Sequence, residues 1–278
     1  MVSQNNFDAV KVASPPSDMT ATVQQSDAVR SSFEDLSPAI QDIASDSKIL
    51  ERFSEKLKAC GVVGESSIGK LCYLVITSRF LQRPVSLALK GPSSGGKSYI
   101  TEQVLRFFPE SAYYSLTAMS ERALAYSQED MRHRFLVLFE AESLKSDMAS
   151  YLMRSLLSEG RIRYETVLST NTGLRPELIE REGPTGLVVT TTATSLHPEN
   201  ETRFLSVTVQ DTPEQTKEIM KLMALDKQSK PDLSEWVGFQ EWLGTAQHEV
   251  VIPYASTIAE LSNPAGVRLR RDFQLFMN

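Results

Sequence analysis

The chain has 278 residues, 41% apolar and 23% charged, enough for one large domain with appendages and an ordinary core. Its net charge of −6 excludes an overall basic field for nucleic acid. Residues 1–45 hold six acids against Lys11 and Arg30, a sum of −4 that leaves −2 for the rest, so any DNA contact must come from local clusters. Cys60 and Cys72 are too few for a disulfide framework or a zinc site, and the histidines are scattered. No run approaches the ~18 apolar residues of a membrane span, and the opening "MVSQNNFDAV" lacks a signal peptide's basic and apolar regions. A cytoplasmic protein without membrane partners is expected.

Residues 1–45 are rich in Ser, Gln, Asp and Pro without a steady apolar period, which predicts a disordered tail. A helical segment follows over 46–83, with helices at 47–59 and about 65–80. "RPVSLALKG" reads as a buried strand ending at Gly91, and "SYITEQVLRFF" as a helix stopped by Pro109. A strand at 111–117, a short helix at 120–127 capped by Ser120, a strand at 134–142 and a helix at 147–158 come next. Residues 186–194 and 203–210 read as two further strands, and helices dominate from Pro213 to the end. Strands alternating with helices predict an α/β fold with a mainly parallel sheet between helix layers.

Residues 91–98, "GPSSGGKS", fit G-x-x-x-x-G-K-[ST] between that buried strand and an amphipathic helix. Gly91, Gly95 and Gly96 allow a tight turn whose backbone N–H groups face inward, and the following helix presents its positive end to the same anion. Pro92, Ser93, Ser94 and Tyr99 complete the loop and its exit. Lys97 supplies a point charge to the β and γ phosphates, and the Ser98 hydroxyl a ligand for Mg²⁺. The alternative is a chance Gly/Ser turn with an exposed lysine, which this context opposes. ATP and Mg²⁺ are the expected ligands of a three-layer α/β/α P-loop NTPase core over 84–212.

Such a loop needs a carboxylate at the tip of a neighbouring strand. "LVLFEAES" offers Glu140 and Glu142, and since i and i+2 of an extended strand share a face, both carboxylates could reach one site. Glu140 is expected near Mg²⁺ and Glu142 near the attacking water, or the reverse; the aspartate usual in hydrolytic versions is absent. A strand end with solvated acids is the bland alternative.

"GLVVTTTATSLHPENETRFLSV" resembles the stretch of AAA+ ATPases in which an apolar strand ends in a polar residue and an arginine element follows. The resemblance implies Thr192 as the polar residue at the γ-phosphate or water, with Thr191 and Thr194 in contention. It implies Arg203 as an arginine reaching a neighbouring subunit's nucleotide, in a homo-oligomeric ring; an ion pair with Glu199 or Glu201 is the alternative. It spans about 84–228. "TAMSERALAYS", "FEAES", "YLMRSLLSEGRIRYETV" and "ETRFLSV" further resemble the helicase-type ATPases of phages and mobile elements, often primase-associated.

Residues 159–186 alternate in a way that predicts a β-hairpin. It resembles the hairpin that helicase-type rings project into their pore, which would make Arg161, Arg163, Arg175 and Arg181 phosphate contacts and Tyr164 a stacking face for single- or double-stranded DNA. Neighbouring glutamates dilute that field, and a solvated hairpin is an equal reading on charge alone. Residues 213–278 would be a helical lid, possibly incomplete, with Arg268, Arg270 and Arg271 near its end. Three functions remain: an ATP-hydrolysing DNA motor, a nucleotide-sensing adaptor, and a small-molecule or nucleotide kinase.

Overall fold

A computed structural model describes residues 33–144, 146–170, 173–194, 196–224, 231–249, 251–262 and 269–277. Three helices come first: α1 (Pro38–Ser45), α2 (Ile49–Ala59) and α3 (Ser66–Thr77). Then follow β1 (Ser86–Lys90), α4 (Lys97–Leu105), β2 (Tyr113–Leu116), α5 (Ala123–Tyr126), β3 (Arg134–Leu138) and α6 (Asp147–Glu159). The chain continues through β4 (Arg161–Thr170), β5 (Gly173–Glu182), β6 (Thr185–Thr191), α7 (Pro198–Glu201), β7 (Phe204–Thr208) and α8 (Pro213–Ala224). It ends with α9 (Ser234–Leu243), α10 (Ala255–Leu261) and α11 (Leu269–Phe276).

Five strands form one parallel sheet in the order β2-β3-β6-β1-β7. Strands β1 and β6 are buried throughout, as expected of strands covered on both faces. On one face Leu87, Leu89, Val137 and Val188 pack with α2, α3, α4 and α9; on the other Ala88, Leu136, Leu138 and Val189 pack with α5 and α6. The result is the α/β/α P-loop architecture. Strands β4 and β5 pair antiparallel as a separate two-stranded sheet inserted between α6 and β6. Ile162 and Ile179 bury its base in the second core, and Asn171 and Thr172 at its turn lie outside the described residues.

Three local expectations change. Pro38–Ser45 is helical although 1–45 reads as a tail: Ile43 is fully buried and Ile40 packs on the same core. Two inward apolar residues on a short helix are too few to set a period, but they suffice once α9 covers them. Ser120 does not cap α5, whose cap is Arg122; the Ser120 contribution is its carbonyl, which accepts from the N–H of Ala123. Strand β3 stops at Leu138, four residues short of the predicted end.

Helix α9 shares an aromatic core with the first helices. Trp236 lies 5.8 Å from Phe53, 5.8 Å from Tyr73 and 5.5 Å from Phe107 between ring centroids. Beside it a buried arginine is held without a carboxylate among the described residues. Arg79 donates to the Gln240 side-chain oxygen at 2.8 Å and its backbone oxygen at 3.1 Å, and lies 3.9 Å over the Phe80 ring. Gln240 in turn donates to the Tyr73 hydroxyl at 2.8 Å and to Thr77 Oγ1 at 3.0 Å. Burial lowers the Arg79 guanidinium to about 10, so it stays charged at neutral pH. Gln240→Ala strips partners from two buried groups, Arg79 and Tyr73, and from the half-buried Thr77 at once. It is expected to cost about 2–3 kcal/mol, read as a lower urea midpoint with an unchanged slope.

Candidate functional site

Because all five strands run the same way, their C-terminal ends meet at one edge of the sheet, and the loop 91–96 leaves β1 there. It has six residues to turn a buried strand into a helix whose first residue, Lys97, is itself buried. Gly96 at the helix cap takes φ +81°, which only glycine adopts readily, and a Cβ there would meet nothing; its conformation, not its size, is what the turn requires. Ser94 also lies at positive φ, 65°. The backbone N–H groups of Gly96, Lys97 and Ser98 donate to no group among the described residues. They are unpaired donors at a positive helix end, the constitution of a phosphate site.

Lys97 Nζ donates to the carbonyls of Gly91 at 2.9 Å and Pro92 at 2.5 Å, arching back over its own loop. Burial lowers its pKa, and the nearby Glu140 carboxylate opposes that shift. Glu140 is therefore close enough to sense the ammonium. It does not get there by strand alternation, however. The N–H of Phe139 makes one last bond to the Leu116 carbonyl at 3.1 Å, and its carbonyl takes the Thr190 hydroxyl at 2.5 Å. The chain then enters a 3₁₀ turn at Ala141–Leu144. Glu140 sits exposed in the link and Glu142 within the turn, so the shared-face argument fails; the Glu142 side chain lies outside the described residues.

Strand β6 lies between the loop strand and the acidic strand. Lys90 is paired with Thr191, and the N–H of Gly91 donates to the Thr191 carbonyl at 3.2 Å. The polar residues at the end of β6 thus border the loop. Thr191 is buried with its hydroxyl accepting from the N–H of Ala193, whereas Thr192, one residue past the strand, is exposed, as is Thr194.

Arg203 lies at the other end of the sheet. Phe204, the next residue, pairs with Ser86 at the start of β1. A strand of this length separates it from the loop by roughly 15 Å. Its guanidinium donates to Ser158 Oγ at 2.8 Å and to the Glu199 carbonyl at 2.5 Å. The carboxylates named as alternatives bind other cations: Glu199 takes Arg154 at 2.5 Å and Glu201 takes Lys90 at 2.5 Å.

Glu201 also accepts from Ser206 Oγ at 2.6 Å and from the N–H of Leu196 at 3.1 Å. One carboxylate thereby ties together the last residue before the loop, the segment after β6, and β7. Sequence reasoning missed it, because a Lys and a Glu 111 positions apart carry no local signal.

A cleft of about 680 Å³ opens beside the loop, also unforeseen. Gly95, Gly96, Tyr99 and Ile100 form one wall, the 58–65 turn another, and α8 with Ile219, Met220 and Met223 the third. Gly61, at φ +94°, allows the turn to pass against Tyr99, whose hydroxyl donates to the Cys60 carbonyl at 3.0 Å. Gln215 of α8 donates to the Val63 carbonyl at 2.9 Å, joining two walls.

On the hairpin, Arg163 pairs with Glu180 at 2.7 Å and Arg161 faces Glu182 in register. Tyr164 packs towards the core, 6.4 Å from Tyr126, and Arg181 donates to the Ser127 carbonyl at 2.6 Å. Arg175 is exposed opposite Leu168. Arg268 lies outside the described residues, and so does the Arg271 side chain.

A parallel sheet delivering a G-x-x-x-x-G-K-S loop with unpaired donors to a helix start defines a P-loop NTPase domain, a nucleotide-binding class. The profile of the MTBMA_p00010 P-loop domain matches residues 39–234, from α1 through the whole sheet and α8 to the start of α9. The chain belongs to this family. No curated protein matches the chain. No helix among the described residues is long and apolar enough to cross a membrane.

Glu201→Ala would leave the Lys90 ammonium unpaired where it is largely buried, at an expected cost of about 3 kcal/mol. Burial pushes the Glu201 carboxyl up, but Lys90, Ser206 and the Leu196 N–H outweigh it and hold the carboxyl below its ordinary 4.5. A depressed value stabilises the fold above pH 4.5, and the contribution vanishes as pH falls through the folded value. The stability gap between wild type and variant in urea should therefore narrow between about pH 7 and about pH 3.

Proposed function

We propose that the chain binds ATP with Mg²⁺ and hydrolyses it at sites shared between subunits of a homo-oligomeric ring, as in the AAA+ ATPases its sequence resembles, to do work on nucleic acid. The observation that carries the reading is the position of β6. A strand ending in threonines lies between the phosphate loop and the acidic segment, where a polar side chain would border both the γ-phosphate and the attacking water.

Two hard oxygen donors suit Mg²⁺: the Ser98 hydroxyl, which has no partner among the described residues, and the Glu140 carboxylate, whose charge is felt at Lys97. The ion would neutralise phosphate charge. The N–H groups of Gly96, Lys97 and Ser98 would grip the phosphates, and Lys97 would exchange its two loop carbonyls for β and γ oxygens. Thr192 would orient the water, and Glu142, or Glu140 with the roles reversed, would take its proton. Arg203, too far from its own loop, would reach a neighbour's phosphate by leaving Ser158 and Glu199.

For nucleic acid the support is the insertion point of the hairpin between the acidic and polar strands. Arg175 is its exposed arginine without an acid opposite. Arg163 would have to release Glu180 to meet phosphate, and Arg161 stands across the ladder from Glu182, whose carboxylate is paired with Arg132.

Lys97→Ala is expected to weaken ATP binding about 10- to 100-fold, the worth of one charge-assisted contact; unchanged affinity in calorimetry would remove the loop from the mechanism. Mixing Arg203→Ala with Glu142→Gln subunits should restore part of the turnover that each lacks alone, because some junctions then carry both intact groups. Single-stranded DNA should raise the wild-type rate; turnover only with a small phosphoryl acceptor would identify a kinase instead, and binding without turnover an adaptor.

A further inference from the structure

Two carboxylates line the cleft beside the loop, Glu65 and the exposed Asp211. Glu65 is 3% exposed and lines the cleft with Val62, Val63, Tyr99 and Ile219. Its Oε1 accepts from the N–H of Gln210 at 2.8 Å and from Gln215 Nε2 at 3.4 Å. Its second oxygen accepts no hydrogen bond from the described residues. A carboxylate is an acceptor only, with room for about four hydrogen bonds, so an oxygen with no donor from the chain can take one from a guest.

Nearby polar groups are already committed: the Tyr99 hydroxyl to the Cys60 carbonyl, and Gln215 to the Val63 carbonyl and Glu65. A flat guest therefore meets the apolar side chains of Val62, Val63 and Ile219 with the Glu65 oxygen beside them, while Lys58, Gln210, Asp211 and Thr216 line the cleft at exposed positions. The loop end of the cleft fixes where the guest's phosphates lie, so its base occupies the part walled by Val62, Val63 and α8.

Resting on the reading that the loop binds ATP, we propose that Glu65 accepts a hydrogen bond from the 6-amino group of adenine and sets the base preference of the site. Guanine fits less well. Its adjacent N1–H and N2–H call for both oxygens of one carboxylate, and Oε1 is occupied by Gln210 and Gln215. A 6-oxo purine places an acceptor against an acceptor.

The test measures dissociation constants of the full chain with Mg²⁺ for ATP, GTP, ITP and purine riboside triphosphate, which lacks any 6-substituent. Wild type should bind ATP at least about tenfold more tightly than each of the others, the worth of one buried hydrogen bond to a charged group. This comparison needs no variant. In Glu65→Gln the amide oxygen can keep the Gln210 bond while its NH₂ turns to the cleft, replacing an acceptor by a donor. The ATP-to-ITP preference should then fall by at least about tenfold, toward or past equality. Equal wild-type affinities, tighter GTP than ATP, or a Glu65→Gln variant that weakens all four alike would overturn the proposal while leaving the loop reading intact. No binding of any nucleotide by wild type would overturn both.

Discussion

The constraint on which the site depends is the shortness of the passage from β1 to α4. The strand is buried along its whole length and the helix begins with a buried lysine, so the six residues between them cannot wander. They turn through positive φ at Ser94 and Gly96 and reach the helix start with N–H groups that no chain atom among the described residues accepts. Donors left open at the edge of a low-dielectric core attract an anion, and Lys97 meanwhile satisfies itself with loop carbonyls.

That passage could be read from the sequence because it is local: eight consecutive residues with a buried strand before and a helix after. The parallel sheet was legible for the same reason, since each strand announces itself by its own apolar run. What resisted reading was relational. The run "RFLVLFEAE" does not say that Thr190, on a strand yet to come, will take the Phe139 carbonyl and that the chain will then turn before Glu142. Likewise "ACGVVGE" looks like an ordinary helix-to-helix turn. It becomes a cleft wall only because α8, 150 residues on, is joined to it through Gln215 and Glu65. The hairpin arginines were visible, but Glu180 became the partner of Arg163 only once the register was fixed.

The buried charges mark these relational seams. Arg79 fastens α9 to the first helices through Gln240; Lys90 and Glu201 fasten the loop strand to β7 and to the segment after β6; Glu65 holds the start of that same β7-to-α8 link. Each joins stretches more than 100 residues apart. Burying such groups is unfavourable unless the partners are well placed, and apolar pairs of equal size would serve stability as well or better. Directional partners do something apolar contacts do not: they fix where two segments sit along and around one another.

That distinction bears on how the site could transmit the state of its nucleotide. Glu201 stands two residues before Arg203 and grips Lys90, the residue that precedes the loop. The residue before the loop and the short α7 segment are therefore joined by one short ion pair. An apolar joint would leave the two freer to slide. The same carboxylate holds the Leu196 N–H, so the segment after β6 is tied to it as well. One half-buried carboxylate with three directional contacts thus ties the residue before the loop to the segment that carries Arg203.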